Sequence, residues 1–289
     1  MESELIDHYK RVNNVRIHYL DRDGGEPPIV MLPGLSANSH AFDGLAAAGL
    51  SPRFRTIAPD LRGRGDSDKP QTGYTLEDHA ADVLALLDAL GIKRATILGH
   101  SFGGLLAIYL AAKYPQRVAR LVLIDVALWI VEDTAKLIRV SIDRLTKTFP
   151  SADGYIEALK HAPYLDGFWD PMVENYFRAE IETNADGTAR ARTSAAAIEQ
   201  VIKAIGTEPW KDYVKQISVP SILINGPAPY GPPGAPAIVP AALAKETAAS
   251  IAGCQYIEVP GNHMTMIFGE NAPHVVGAIA AFVVAGVPA

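Results

Sequence analysis

The pentapeptide Gly99-His100-Ser101-Phe102-Gly103 is the segment of this 289-residue chain best suited to chemistry. A serine flanked in this way can stand on a sharp strand-to-helix turn, because glycines without a Cβ let the backbones pass closely. A helix opening directly behind it supplies N–H groups that favour negative charge. A serine hydroxyl is nevertheless a weak nucleophile until a base takes its proton, so a histidine must come from elsewhere in the chain. Eight are available. His8, His18, His79, His161 and His274 fall on expected strands or helices, as packing or surface residues. His100 adjoins the serine and must point away from its side chain. His40 follows Pro33-Gly34 and is a candidate for lining a substrate pocket. His263 stands apart, in the loop Val259-Pro260-Gly261-Asn262-His263 between the last expected strand and the last expected helix.

The elements that must position these residues can be read from periodicity. Val15–Leu20, Pro28–Leu32, Phe54–Ala58, Ala95–Leu98 and Ala119–Ile124 are short strand patterns, several of them continuously apolar. Leu76–Leu90 carries apolar residues at helical spacing, with Thr75 as N-cap and Gly91 as stop, and Phe102–Lys113 follows the pentapeptide as a second helix. Apolar strands alternating with helices predict a parallel sheet covered on both faces. After Asp125 the alternation stops. From Val126 to about Ile205 the pattern predicts several amphipathic helices and no strand. It resumes with Ser221–Asn225 and Tyr256–Val259 and closes with the helix Pro273–Val284. The expected organisation is an α/β core in two parts, 1–126 and 211–289, with a helical cap over 127–210 inserted after the sixth strand.

Composition removes other classes. A formal charge of −6, without a basic run, gives no electrostatic footprint for nucleic acid. Cys254 is the single cysteine, which excludes an internal disulfide or a cysteine zinc site. No set of histidines and carboxylates has metal-ligand spacing, and no cofactor is implied. The start MESELIDHYK is too polar for a signal peptide, and the apolar stretch 275–289 is shorter than the roughly 20 residues of a membrane span. A cytoplasmic globular protein acting on a small molecule is expected, with its oligomeric state left open.

Taken together, Leu32-Pro33-Gly34, the run from Pro59-Asp60 to Ser67-Asp68, Gly99–Gly103 and Gly261–His263 resemble the α/β-hydrolase-fold serine hydrolases over nearly the whole chain. Within that family, Asp66–Tyr74 and Leu123-Ile124-Asp125 are similar to the branch that includes (E)-2-(acetamidomethylene)succinate hydrolase. The resemblance implies Ser101 as nucleophile, His263 as base, and an oxyanion hole from the Phe102 N–H and one N–H of the Pro33-Gly34-Leu35 loop, that of Leu35. Most members carry the triad acid after the seventh strand. Here that strand is Ser221–Asn225, and no Asp or Glu occurs from Tyr213 to Lys245. Some branches, the succinate hydrolase among them, carry the acid at the end of the sixth strand. That position is Asp125, 24 residues after Ser101.

Arg62 and Arg64, surrounded by Asp60, Asp66 and Asp68, are expected in a structural ion-pair network. Of the eight aromatics in the insertion, Trp129, four residues past Asp125, is the best placed to contact substrate. Nine Lys or Arg against twelve Asp or Glu between Ala127 and Ile205 make no funnel for anions, although the resemblance to the succinate hydrolase leaves a lone Arg139, Arg144 or Arg178 as a candidate to bind a carboxylate. The expected reaction is hydrolysis of a carboxylic ester with a small to medium, largely apolar acyl group. Amide or other C–N hydrolysis, lactone hydrolysis, and a slow small-molecule receptor are the alternatives.

Overall fold

The computed structural model describes residues 6–129, 132–165 and 167–285. Eight strands form one sheet: β1 (Ile6–Val12), β2 (Val15–Arg22), β3 (Ile29–Leu32), β4 (Thr56–Pro59), β5 (Ala95–His100), β6 (Val118–Ile124), β7 (Ser221–Asn225) and β8 (Gln255–Glu258). Their order is β1-β2-β4-β3-β5-β6-β7-β8. β1, β2 and β4 pair antiparallel, and every pair from β4 to β8 is parallel. Every residue of β3, β4, β5 and β7 is buried, which explains why those segments are apolar without alternation. Helix α1 (Leu76–Ala89) begins at Thr75 with a reciprocal capping box to Asp78. Helix α2 (Phe102–Lys113) is apolar around its whole circumference and is buried from Phe102 to Ala112.

β1 escaped the periodicity because its sequence, IDHYKRV, is rich in charge at an exposed sheet edge. Its hairpin to β2 turns at Asn13-Asn14, both at positive φ (47° and 63°), as a two-residue turn of that hand requires.

Between β6 and β7 lie helices α3 (Glu132–Asp143), α4 (Ala152–Lys160), α5 (Pro171–Ala179), α6 (Ala195–Ile205) and α7 (Trp210–Gln216). The expectation of helices alone in this segment is corrected by a three-stranded antiparallel sheet of Thr148–Phe149, Ala189–Ala191 and Ile181–Thr183. Strands of two or three residues are too short for alternation to register. The Asp186-Gly187 pair, with Gly187 at φ 86°, was the available hairpin signal. After β7 come α8 (Ala241–Ala249) and, beyond β8, α9 (Ala272–Val284). Among the described residues, no helix is long and apolar enough to cross a membrane.

Two histidines are fixed in the interior as neutral rings. The His79 Nδ1 lies 2.7 Å from the Thr75 carbonyl, and the His100 Nε2 lies 2.9 Å from the His263 carbonyl. Burial first, then the neighbouring Arg64 for His79 and His263 for His100, hold both rings well below the ordinary histidine pKa. At these two rings the unfolded chain therefore binds protons below about pH 6.5 that the native chain does not, whereas His18, where burial is outweighed by the bond to Asp60 and the pKa is raised, works in the opposite sense. Urea midpoints should fall as pH is lowered from 7.5 to 5.5, and His79→Gln should flatten that slope by about one proton's worth. A slope unchanged by the substitution would show that His79 is not buried neutral.

Candidate active site

Ser101 joins β5 to α2 with φ 54° and ψ −120°, a region that residues with a Cβ rarely occupy. The turn is held from both sides. The Ser101 N–H donates to the Ile124 carbonyl at 3.0 Å, and the Ser101 carbonyl accepts from Gly104 N at 2.8 Å. A Cβ on Gly99 would strike the Gly103 carbonyl, and one on Gly103 would strike the Leu32 carbonyl oxygen. Both obstacles are backbone, so no rotamer change relieves them. Gly99 is thus required by the close return of α2 over its own strand β5, and Gly103 by the crossing of α2 over the end of β3.

Asp125 ends β6, also at positive φ (47°), with its N–H donating to the Ile224 carbonyl at 2.8 Å. Its carboxylate has no exposed surface. Oδ1 accepts from Asn225 Nδ2 at 2.6 Å and from the Gly226 N–H at 3.0 Å, while Oδ2 lies 2.6 Å from His263 Nδ1. A carboxylate against Nδ1 assigns the proton of the neutral ring to that nitrogen and leaves Nε2 as the acceptor. The β7 end, where no acid stands, supplies an amide that orients Asp125. Asn225 is held in turn by the Tyr256 hydroxyl, 3.0 Å from its Oδ1.

The His263 loop is pinned by its neighbours. Asn262 accepts from Met264 N and Thr265 N, each at 3.0 Å, and donates through Nδ2 to the Tyr164 carbonyl at 2.8 Å and the Pro229 carbonyl at 3.2 Å. The His100 ring sits 4.5 Å from that of His263. The Gly/Pro-rich segment 226–236 brings Tyr230 edge-on to His263 at 6.2 Å and stacks it on Tyr164 at 4.8 Å.

Ser101, Asp125, His263, Leu35, Phe102 and Trp129 line one cavity of about 350 Å³. Among the described residues, no hydrogen bond joins Ser101 Oγ to the His263 ring. His40, expected on this wall, is not part of it. Asn38 caps a short turn over Ser39–Phe42, and the His40 Nδ1 lies 2.8 Å from Asp43 Oδ2. Four insertion aromatics reach the cavity, Trp129, Tyr164, Tyr176 and Phe177, while Phe149, Tyr155, Phe168 and Trp169 pack in the core beside it.

Arg144 and Tyr230 also line the wall, whereas Arg178 does not. Arg144 donates to Glu180 Oε1 at 2.7 Å and to the Tyr164 hydroxyl at 3.3 Å. Burial opposes its charge, but the Glu180 carboxylate more than restores it and holds the pKa above the usual guanidinium range. Tyr155 also donates to Glu180. Arg139, the other arginine on the wall, pairs with Asp143 at 3.0 Å and Glu199 at 2.9 Å.

The expected ion-pair network holds for Arg62, which binds Asp82 through two bonds of 2.7 Å. It fails for Arg64. The nearby acids are taken: Asp60 by His18, Ser39 N and Asp66 N, and Asp66 by Arg192. His18, Asp60 and Asp66 also form the one group of potential metal ligands among the described residues, and these bonds already occupy it. None of the three lines the cavity.

Residues 27–226 match the family described as alpha/beta hydrolase fold. The chain belongs to this family. The hydrolase chain is 31% identical over 226 residues to 2-(acetamidomethylene)succinate hydrolase of Mesorhizobium japonicum, covering 76% of this chain and 78% of that one. It is similar to the crystal structure of E-2-(acetamidomethylene)succinate hydrolase, with TM-score 0.80 and 26% identity over 97% of this chain and 99% of that one. It is also similar to the enol-lactonase of Burkholderia xenovorans LB400, with TM-score 0.72 and 28% identity over 96% and 100% of the two chains.

The short Asp125–His263 contact has a direct spectroscopic consequence. The His263 Nδ1 proton should resonate far downfield in wild-type protein and move upfield in Asn225→Ala, where Asp125 loses a 2.6 Å donor. An unchanged signal in that variant would mean that Asn225 does not orient the pair.

Proposed function

We propose that the protein is a serine hydrolase that cleaves carboxylic esters with small to medium, largely apolar acyl groups. The observation carrying this reading is the buried Asp125 carboxylate on His263 Nδ1, in the same cavity as Ser101 on its strained turn. In this mechanism His263 Nε2 takes the Ser101 proton as Oγ attacks the acyl carbon. The same nitrogen then protonates the departing alkoxide, and water repeats the sequence on the acyl-enzyme. Asp125 keeps the ring in the required tautomer and stabilises the imidazolium. The N–H groups of Phe102 and Leu35 receive the negative oxygen of the tetrahedral intermediate, each contributing about 3 kcal/mol. Phe102 is the first residue of α2, where a helix has no internal acceptor for its N–H. The Gly34 carbonyl is engaged by Ala37 N at 3.2 Å, which turns the Leu35 N–H of the same peptide the opposite way.

The segment 127–210 serves as the cap that selects the substrate. Its wall is mainly apolar, and both of its cavity-lining arginines are matched to carboxylates of the chain. A neutral substrate therefore fits better than a dicarboxylate. A second reading, hydrolysis of a C–N bond or a lactone through the same acyl-enzyme, draws on the similarity to the succinate hydrolase and the enol-lactonase.

Wild-type protein should hydrolyse p-nitrophenyl acetate and butyrate, and Ser101→Ala should not; equal rates would sink the hydrolase reading and leave a binding protein. Asp125→Asn should lower kcat by about 10³–10⁴-fold, and a loss under about tenfold would assign the orientation of His263 to another residue. In a panel scored by kcat/KM, neutral esters should exceed 2-(acetamidomethylene)succinate by about 10²-fold or more. The opposite preference would favour the C–N reading.

A further inference from the structure

Arg64 is wholly buried, yet no carboxylate among the described residues lies within ion-pairing distance of it. All its hydrogen bonds go to neutral acceptors: the Leu35 carbonyl at 3.0 Å, the Arg62 carbonyl at 2.6 Å and His79 Nε2 at 2.8 Å. One terminal nitrogen, NH2, has no partner. The His79 Nδ1 is occupied at the Thr75 carbonyl, so the ring is neutral and serves only as an acceptor. Burial pulls the guanidinium pKa down to about 9, which leaves it a cation at neutral pH. An isolated buried charge is among the costliest arrangements in a protein interior. An opposite charge arriving during function would be stabilised beside it.

Its surroundings identify where that charge would appear. The guanidinium bonds the Leu35 carbonyl and lies 5.3 Å from the centre of the Phe102 ring. Leu35 and Phe102 are the two residues whose N–H groups receive the oxyanion in the proposed mechanism. Arg64 does not line the cavity, so it touches neither substrate nor Ser101. We propose that Arg64 is a positioning residue of the oxyanion hole, whose uncompensated buried charge holds both donor residues and stabilises the oxyanion through the protein. The inference rests on the serine-hydrolase reading. It adds a fixed positive field in a low-dielectric setting, where charge acts over longer distances than in water.

The test compares Arg64→Lys, which keeps the charge, with Arg64→Gln, which keeps a donor for the Leu35 carbonyl without charge. On p-nitrophenyl butyrate, Arg64→Gln should lose about 10²-fold in kcat with KM within about threefold, and Arg64→Lys should retain most of the rate. An alkyl trifluoromethyl ketone, which forms an anionic adduct with a reactive serine, should weaken in Arg64→Gln by a factor close to the loss in kcat. The parent methyl ketone should bind both variants alike. Equal kcat in the two variants, or a loss confined to KM, overturns the proposal. Should Arg64→Gln fail to fold by circular dichroism, the trifluoromethyl ketone against Arg64→Lys decides: an affinity equal to that for the methyl ketone, in a variant still labelled at Ser101, also overturns it. The Ser101→Ala control is independent, so a missing serine activity in wild type counts against the hydrolase reading and a flat response at position 64 counts against Arg64 alone.

Discussion

A carboxylate without exposed surface needs a donor for each oxygen, and the carboxyl end of this sheet is arranged around that requirement at Asp125. Its donors come from three places: Asn225 at the end of β7, the Gly226 backbone just beyond, and the ring of His263 after β8. Meeting the requirement fixes the relative positions of β6, β7 and the last loop. It also leaves a histidine with one nitrogen committed and one available. The neighbouring Ser101 turn is fixed differently, by glycines that allow backbones to touch. Two kinds of constraint, polar satisfaction and steric clearance, thus meet at one cavity.

The parts of the fold that could be read in advance were those that depend on burial. The strands 29–32, 95–100 and 221–225 are apolar because both sheet faces are covered, and α2 is apolar all round for the same reason. What escaped was set by pairing at exposed edges. β1 and the small sheet of Thr148–Phe149, Ala189–Ala191 and Ile181–Thr183 carry polar residues, and only their turns, Asn13-Asn14 and Asp186-Gly187, left a mark. The site followed the same division. Ser101, Asp125 and His263 stand in local contexts that a sequence displays. The His40 ring is turned toward Asp43 and Asn175, the latter more than a hundred residues away.

Arg64 illustrates the limit most directly. A run of alternating arginines and aspartates looks like a self-neutralising cluster, and for Arg62 the acid is Asp82 in α1. Which acid meets which base is settled by helices and loops that the run itself does not contain. His18 and Arg192, from β2 and the insertion, claim Asp60 and Asp66 first. Net charge in a segment therefore says little about the charge balance at any one side chain within it.

The Asn262 amide donates at once to a carbonyl of the insertion and to a carbonyl of the proline-rich loop. Exchanging insertions between related proteins is an obvious route to new substrate ranges, and this amide sets a condition on such chimaeras. A transplanted segment must present a main-chain acceptor where Tyr164 now does, or the loop bearing His263 loses an anchor along with the old wall. Modularity here ends at a single hydrogen bond, and a graft designed at that junction inherits the geometry of the whole C-terminal loop.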